Sequence, residues 1–255
     1  MNELALFAGT GGGVLAGHIL GWRTICAVER DAYAAQVLAQ RQNDGVLPPF
    51  PIWSDVRSFD GRRWRGLVDV ISGGFPCQDI SSAGPGTGIE GSRSGLWKDM
   101  ARIISEVLPG EVLLENSPML VGRGLAMVVG DLTQMGYDSE WCLVSAADLG
   151  APHRRDRIWL LGWRNDRHSP ILANPSREHV QRLVAQRTPT QIGRQPLEGS
   201  VGPCGDGPSR WPIEPDMGRV ADGVAFRVDR LKALGNGQVP RVAAAALHGL
   251  ESGQW

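Results

Sequence analysis

A chain of 255 residues can bury one substantial core with a small appendage, but not two widely separated enzymatic domains. Its four cysteines, Cys26, Cys77, Cys142 and Cys204, lie far apart with no Cys-x-x-Cys pair and no matching histidines; this argues against a disulfide framework or metal site and for a reducing cytoplasm. The net charge of −1 conceals a local excess, because residues 151–195 carry nine arginines against three acids, which suggests a phosphate-facing surface in an otherwise acidic chain.

The chain opens on the apolar run Leu4-Ala5-Leu6-Phe7, which has no basic lead-in and is cut by glycines at 9 and 11–13. Neither a signal peptide nor a membrane span is expected there. Strands are predicted at 3–8, 24–29, 68–72, 111–115, 140–145 and 157–162, and helices at 12–20, 31–42, 94–108 and 122–135. Asp31 and one of Ser92 or Ser94 stand where orphan amides need a cap. Strand and helix alternate, so the fold class is α/β, a mostly parallel sheet covered by helices on both faces.

Glycines 9 and 11–13 fall between the first strand and first helix, where backbone must approach a ligand closely. Glu29 ends the second strand about 20 residues later, the spacing at which an acid holds the two hydroxyls of a ribose. The pair indicates a nucleoside cofactor, and the lack of a Gly-Lys-Ser/Thr ending disfavours a nucleoside triphosphate in a P-loop. Asp55 follows Pro51-Ile52-Trp53-Ser54, a short third strand; it is placed either to take an adenine amino group or simply to form a turn.

Val68 to Ser72 leads into Gly73-Gly74-Phe75-Pro76-Cys77-Gln78, which sets a cysteine just past the carboxyl end of a buried strand, where open α/β sheets place reacting groups. Cys77 is therefore a candidate nucleophile. The glycine-rich stretch 81–91 follows it, and Glu115-Asn116 close the apolar run Val112-Leu113-Leu114. From about 164 to 223, eight prolines punctuate a stretch rich in Gly, Arg and Gln, a loop-rich region without apolar periodicity. Order returns at 239–250 as a helix with Pro240 near its first turn.

Taken in order, Phe7-Ala8-Gly9-Thr10-Gly11-Gly12, Pro76-Cys77-Gln78, Glu115-Asn116-Ser117, Arg155-Asp156-Arg157 and Gly235-Asn236-Gly237-Gln238-Val239-Pro240 resemble the signature series of the cytosine-5 DNA methyltransferases. The resemblance implies a Rossmann-like methyltransferase fold with a small target-recognition region, and S-adenosylmethionine as cofactor. It divides the chain into a catalytic and cofactor-binding part at 1–163, a target-recognition region at 164–223 and a segment at 224–255 that completes the catalytic part. Phe7, Gly9, Gly11, Gly12, Glu29 and Asp55, with Pro76, Leu96 and Asn236, would hold the cofactor.

The same resemblance gives Cys77 the role of adding to carbon 6 of an extruded cytosine. Glu115 would hold ring nitrogen 3 and the exocyclic amine. Arg155 and Arg157 would contact the flipped base or its phosphate and orient Glu115, and Arg155 would help lower the Cys77 pKa. Gln78, Ser81, Arg93, Asn116 and His153 are the remaining substrate-side candidates, with 81–97 as a loop closing over the base. His153 stands where the family usually has glutamine, and Ser117 where valine is common. The implied partner is double-stranded DNA, met by a monomer; a companion restriction endonuclease is not inferable. Two alternatives stay open, an RNA methylase like the family's tRNA branch and a catalytically silent DNA-binding relative.

Overall fold

The computed structural model describes residues 1–76, 95–165 and 227–253. Cys77, Gln78, Ser81, Arg93 and nearly all of the region at 164–223 lie outside the described residues. Seven strands, β1 (Asn2–Leu6), β2 (Arg23–Val28), β3 (Ile52–Trp53), β4 (Val70–Gly73), β5 (Glu111–Asn116), β6 (Tyr137–Ser145) and β7 (Asp156–Arg164), form one sheet in the order β3-β2-β1-β4-β5-β7-β6. The first five pair in parallel; β7 runs antiparallel to both β5 and β6. This is the mostly parallel α/β sheet that the alternation predicts.

Both faces are buried, so the central strands are apolar on both sides. Successive residues sort to opposite faces. Leu4, Leu6, Ile71, Val112 and Leu114 join one core with α3 (Gly95–Val107) and α5 (Leu125–Gln134). Trp97, Met100, Ile104 and Val107 repeat at helical spacing on α3 and are fully buried, which fixes its inward face. On the opposite face, Ala5 and Ala27 meet Val14 of α1 (Gly12–Ile19) and Leu38 of α2 (Ala32–Asn43). Val70, Leu113, Trp159 and Leu161 meet the last helix, α7 (Pro240–Ser252). Pro240 opens α7, and Ala243, Ala244 and Ala246 pack with Ala16 of α1 and Leu20 just after it, joining the two ends of the chain.

Several boundaries differ from the expectations. Asp31 caps α2, its Oδ1 accepting from the amides of Tyr33 and Ala34. The helix expected over 122–135 is two, α4 (Leu120–Arg123) and α5, broken at Gly124. β6 starts at Tyr137 rather than 140: the tyrosine is fully buried and donates to Pro109 O, while its polar neighbours sit on an edge strand and hide the alternation. A further helix, α6 (Arg227–Asn236), is not among the expected elements, because its exposed Val228, Leu231 and Leu234 give no core-facing pattern. No helix among the described residues is long and apolar enough to cross a membrane.

Glu3 is the unusual core residue. It lies fully buried on β1, accepting from Thr24 on β2 at 2.6 Å and from Ser72 on β4 at 2.5 Å, so one carboxyl ties three strands. Burial pushes its pKa up to about 7, against the pull of those two hydroxyls. Between about pH 4.5 and 7 the folded chain thus keeps a proton that the unfolded chain has released, and stability falls as pH rises through that window. Glu3→Gln keeps the hydrogen-bonding shape without the charge. Thermal melts should show this variant matching the parent near pH 4 and exceeding it by about 2 to 3 kcal/mol above pH 7. An unchanged difference across that range would refute the assignment.

Candidate active site

The chain crosses from one face of the sheet to the other between β1 and β4, and neighbouring loops diverge there to leave a crevice beyond the strands' carboxyl ends. A cleft of about 790 Å³ occupies it, within the size range of a small-molecule site. Every parallel strand delivers to it: Phe7 after β1, Glu29 after β2, Asp55 after β3, Gly74 to Pro76 after β4, and Glu115 and Asn116 at the end of β5. Asp229, Lys232, Ala233, Gly235 and Asn236 of α6, with Gly237 just beyond, supply the remaining wall.

On one side the cleft is lined by a glycine turn and a carboxylate fixed by backbone amides. Phe7 has φ of 52°, a left-handed conformation that costs a non-glycine residue free energy and is held only by its surroundings. The turn after it closes through Gly11 N–H donating to Ala8 O. Glu29 Oε2 accepts from Gly9 N–H and Oε1 from Asp31 N–H, both at 2.6 Å. Those bonds fix the carboxylate plane, and an ionised carboxylate with about four lone-pair sites retains capacity for two hydroxyls. Asp55 Oδ1 caps the turn at Arg57, so the turn-forming reading holds while the side chain still faces the cleft. Across the opening, Lys232 Nζ meets Asp31 Oδ2 at 2.5 Å and draws that carboxyl below its ordinary range.

The other side holds a buried acid among donors. Glu115 is buried, and Arg157 Nε reaches its Oε1 at 2.7 Å. Burial pushes the Glu115 pKa up; Arg157, then Arg155, then a hydrogen bond from Gln238 pull it back without cancelling the rise. The result is a carboxyl whose pKa stays above its ordinary value and whose polar neighbours only donate. Asn116 Nδ2 donates to Phe75 O at 3.1 Å, tying the end of β5 to the loop that leads out of β4. Gly74 is required in that loop, since a Cβ there would stand 2.6 Å from Glu115 Oε2.

Among the expected cofactor residues, Phe7, Gly9, Glu29, Asp55, Pro76, Leu96 and Asn236 line the cleft. Gly11 and Gly12 do not line it but shape its floor: Gly11 has φ of 89°, and a Cβ on Gly12 would collide with the backbone carbonyl of Gln238. Glu115, Asn116 and Arg157 line it as well. Arg155 is turned elsewhere, its Nη2 donating to Gly235 O at 2.8 Å and Gly237 O at 2.6 Å, so it secures the loop between α6 and α7. His153 is half-buried and outside the lining. Lys232 and the Gln238 side chain are functional neighbours that the sequence reading misses. Lys232 is one of only two lysines in the chain, a signal that could have found it; Gln238 sits inside a motif whose asparagine alone carries the expectation.

Residues 1–195 match the family model of the C-5 cytosine-specific DNA methylases. The chain belongs to this family. The family uses S-adenosylmethionine, and the solved structures that this chain resembles share its α/β fold. The Type II methyltransferase M.PspPI of a Psychrobacter species is 34% identical over 172 residues, covering 65% of this chain and 40% of that protein. M.HhaI of Haemophilus parahaemolyticus is 33% identical over 170 residues, covering 65% and 50%. A prophage-encoded E. coli protein assigned as a DNA modification methyltransferase superposes with a TM-score of 0.54 at 26% identity, over 65% of this chain and 47% of that one. S. pombe Dnmt2 gives the same TM-score at 20% identity over 66% and 52%, and shares the fold. The chain spans about 40 to 44% of the length of the curated relatives it matches first.

Proposed function

We propose that this protein, acting as a cytoplasmic monomer, methylates carbon 5 of cytosine in double-stranded DNA by flipping the base and forming a transient covalent bond through Cys77. The observation that carries the reading is the buried Glu115–Arg157 pair, which faces the same cleft as the Glu29 carboxylate and the Pro76 that immediately precedes Cys77 in sequence. S-adenosylmethionine supplies the electrophilic methyl group. What the chain must do is make carbon 5 of cytosine nucleophilic.

Addition of the Cys77 thiolate to carbon 6 does this by converting the ring to an enamine; carbon 5 then displaces the thioether S-adenosylhomocysteine as it takes the methyl group, gives its proton to water, and the carbon 6–sulfur bond breaks to release the thiolate and restore the aromatic ring. Electron density pushed toward ring nitrogen 3 during addition needs a hydrogen-bond partner there. Glu115, with a pKa raised by burial, supplies a proton donor at nitrogen 3 and an acceptor for the exocyclic amine. Thymine has an oxygen where cytosine has that amine, so the same carboxyl discriminates between them. The cytosine ring is out of reach in a stacked duplex, and extruding it costs a few kcal/mol that contacts to the DNA backbone must offset.

The test is transfer of tritium from labelled S-adenosylmethionine to duplex genomic DNA, with modified cytosines mapped by bisulfite sequencing, and tRNA as a parallel substrate. Label on duplex DNA at mapped cytosines is expected. Label on tRNA alone would replace the DNA reading with the RNA one, and no label on either would leave only a binding role.

A further inference from the structure

We infer that Gln238 is a positioning residue for Glu115, with Gly12 kept small for its backbone and Gly13 and Gly74 kept small for its side chain, which runs between the glycine loop and the acid. Its backbone carbonyl occupies the space of a Gly12 Cβ, and its Oε1 that of a Gly13 Cβ. At the far end, Gln238 Nε2 lies 3.2 Å from where a Gly74 Cβ would stand and Glu115 Oε2 2.6 Å from the same point, so the amide sits beside the Glu115 carboxyl and counters part of its raised pKa. Gln238 thus touches the first turn of α1, the loop after β4 and the acid at the end of β5.

The two carboxylate oxygens of Glu115 are divided between two donors. Arg157 takes Oε1, and Gln238 approaches Oε2. Two donors fix the carboxylate plane where a single one leaves it free to rotate. An amide nitrogen also favours the ionised acid without adding a second full charge, so it offsets part of the burial that drives the pKa up. Arg155 completes the arrangement by holding the carbonyls of Gly235 and Gly237, immediately before Gln238. The arginines at 155 and 157 both lower the pKa of one carboxyl through their charge, Arg157 in direct contact with it, and Arg155 also fixes the loop that presents Gln238.

The inference rests on Glu115 being the cytosine-facing acid, and its test carries a readout independent of turnover. Gln238→Leu preserves bulk and removes the amide. Carboxyl-carbon NMR of ¹³C-labelled glutamate, with Glu115 assigned by its absence in Glu115→Gln, should show the Glu115 titration moved to higher pH in Gln238→Leu. In the methylation assay kcat should fall about 10- to 100-fold, as for loss of a hydrogen bond to a charged group, with cofactor affinity and KM for DNA within about twofold. Gln238→Glu sets a second carboxyl beside the first, so its activity should hold near that of the parent in acid and fall away above neutral pH as the two charges repel. An unmoved Glu115 titration would overturn the inference, as would a kcat loss in Gln238→Leu that tracks lost cofactor binding with an unaltered pH profile. A wild-type protein that fails to methylate DNA while the titration still shifts would overturn the functional reading and leave the Gln238–Glu115 coupling standing.

Discussion

Cys77→Ser is expected to abolish methyl transfer to DNA while leaving S-adenosylmethionine affinity within about twofold of the parent. A thiol with an ordinary pKa near ~8.5 is partly ionised at neutral pH and further so near positive charge, whereas a serine hydroxyl is not. The substitution removes one polarisable atom and leaves in place the groups that face the cofactor side of the cleft, Glu29, Asp55 and Phe7. Binding measured by calorimetry and transfer measured with labelled cofactor separate the two effects. Methylation retained by Cys77→Ser would defeat covalent catalysis; loss of cofactor binding together with transfer would mean that the variant had disrupted the cleft.

Arg157→Leu is expected to lower kcat by about a hundredfold or more and to destabilise the fold by about 3 kcal/mol. Arg157 is a quarter exposed but Glu115 only a tenth, so removing the guanidinium leaves a buried acid without its nearest counter-charge. Arg155 and Gln238 remain and hold the loss toward the lower end for a broken buried pair. The sign of the pH dependence follows from the same geometry. Without Arg157 the Glu115 pKa rises further, the acid costs nothing in its neutral form, and the stability deficit of Arg157→Leu should shrink in acid and grow as pH rises. Adding Glu115→Gln to Arg157→Leu should restore much of the stability and none of the activity. Restored activity in that double variant would remove Glu115 from the chemistry, and a deficit independent of pH would mean that Arg157 acts through packing alone.

The sheet was legible because buried parallel strands such as Val68 to Ser72 and Val112 to Leu114 are short apolar runs, and because Asp31, a good capping residue, marks the start of its helix. The glycine loop and Glu29 were legible through their spacing. Where the reading fell short, the information lay in three dimensions. Tyr137 opens an edge strand and is followed by polar Asp138, Ser139 and Glu140, with Trp141 and Leu143 exposed further on, so edge position concealed its period. Glu3 reads as an ordinary N-terminal acid until β2 and β4 close around it with Thr24 and Ser72. Gln238 lies in sequence far from Gly13, Gly74 and Glu115, and only the return of the chain through α7 to α1 brings them together. Arg155 and Arg157 look equivalent as a pair, yet they reach different partners at the start of β7, one a loop and one an acid.

The covalent step is tested most directly with a DNA duplex carrying 5-fluorocytosine in place of cytosine throughout, so that every possible target cytosine is fluorinated whatever sequence the enzyme selects. Fluorine on carbon 5 cannot leave as the proton does, so the ring cannot be restored and the enzyme stays attached. With S-adenosylmethionine present, the protein should migrate on a denaturing gel as a DNA adduct, and Cys77→Ser should not. A wild-type protein that methylates ordinary duplex DNA but forms no denaturation-resistant adduct with the fluorinated one would contradict the account.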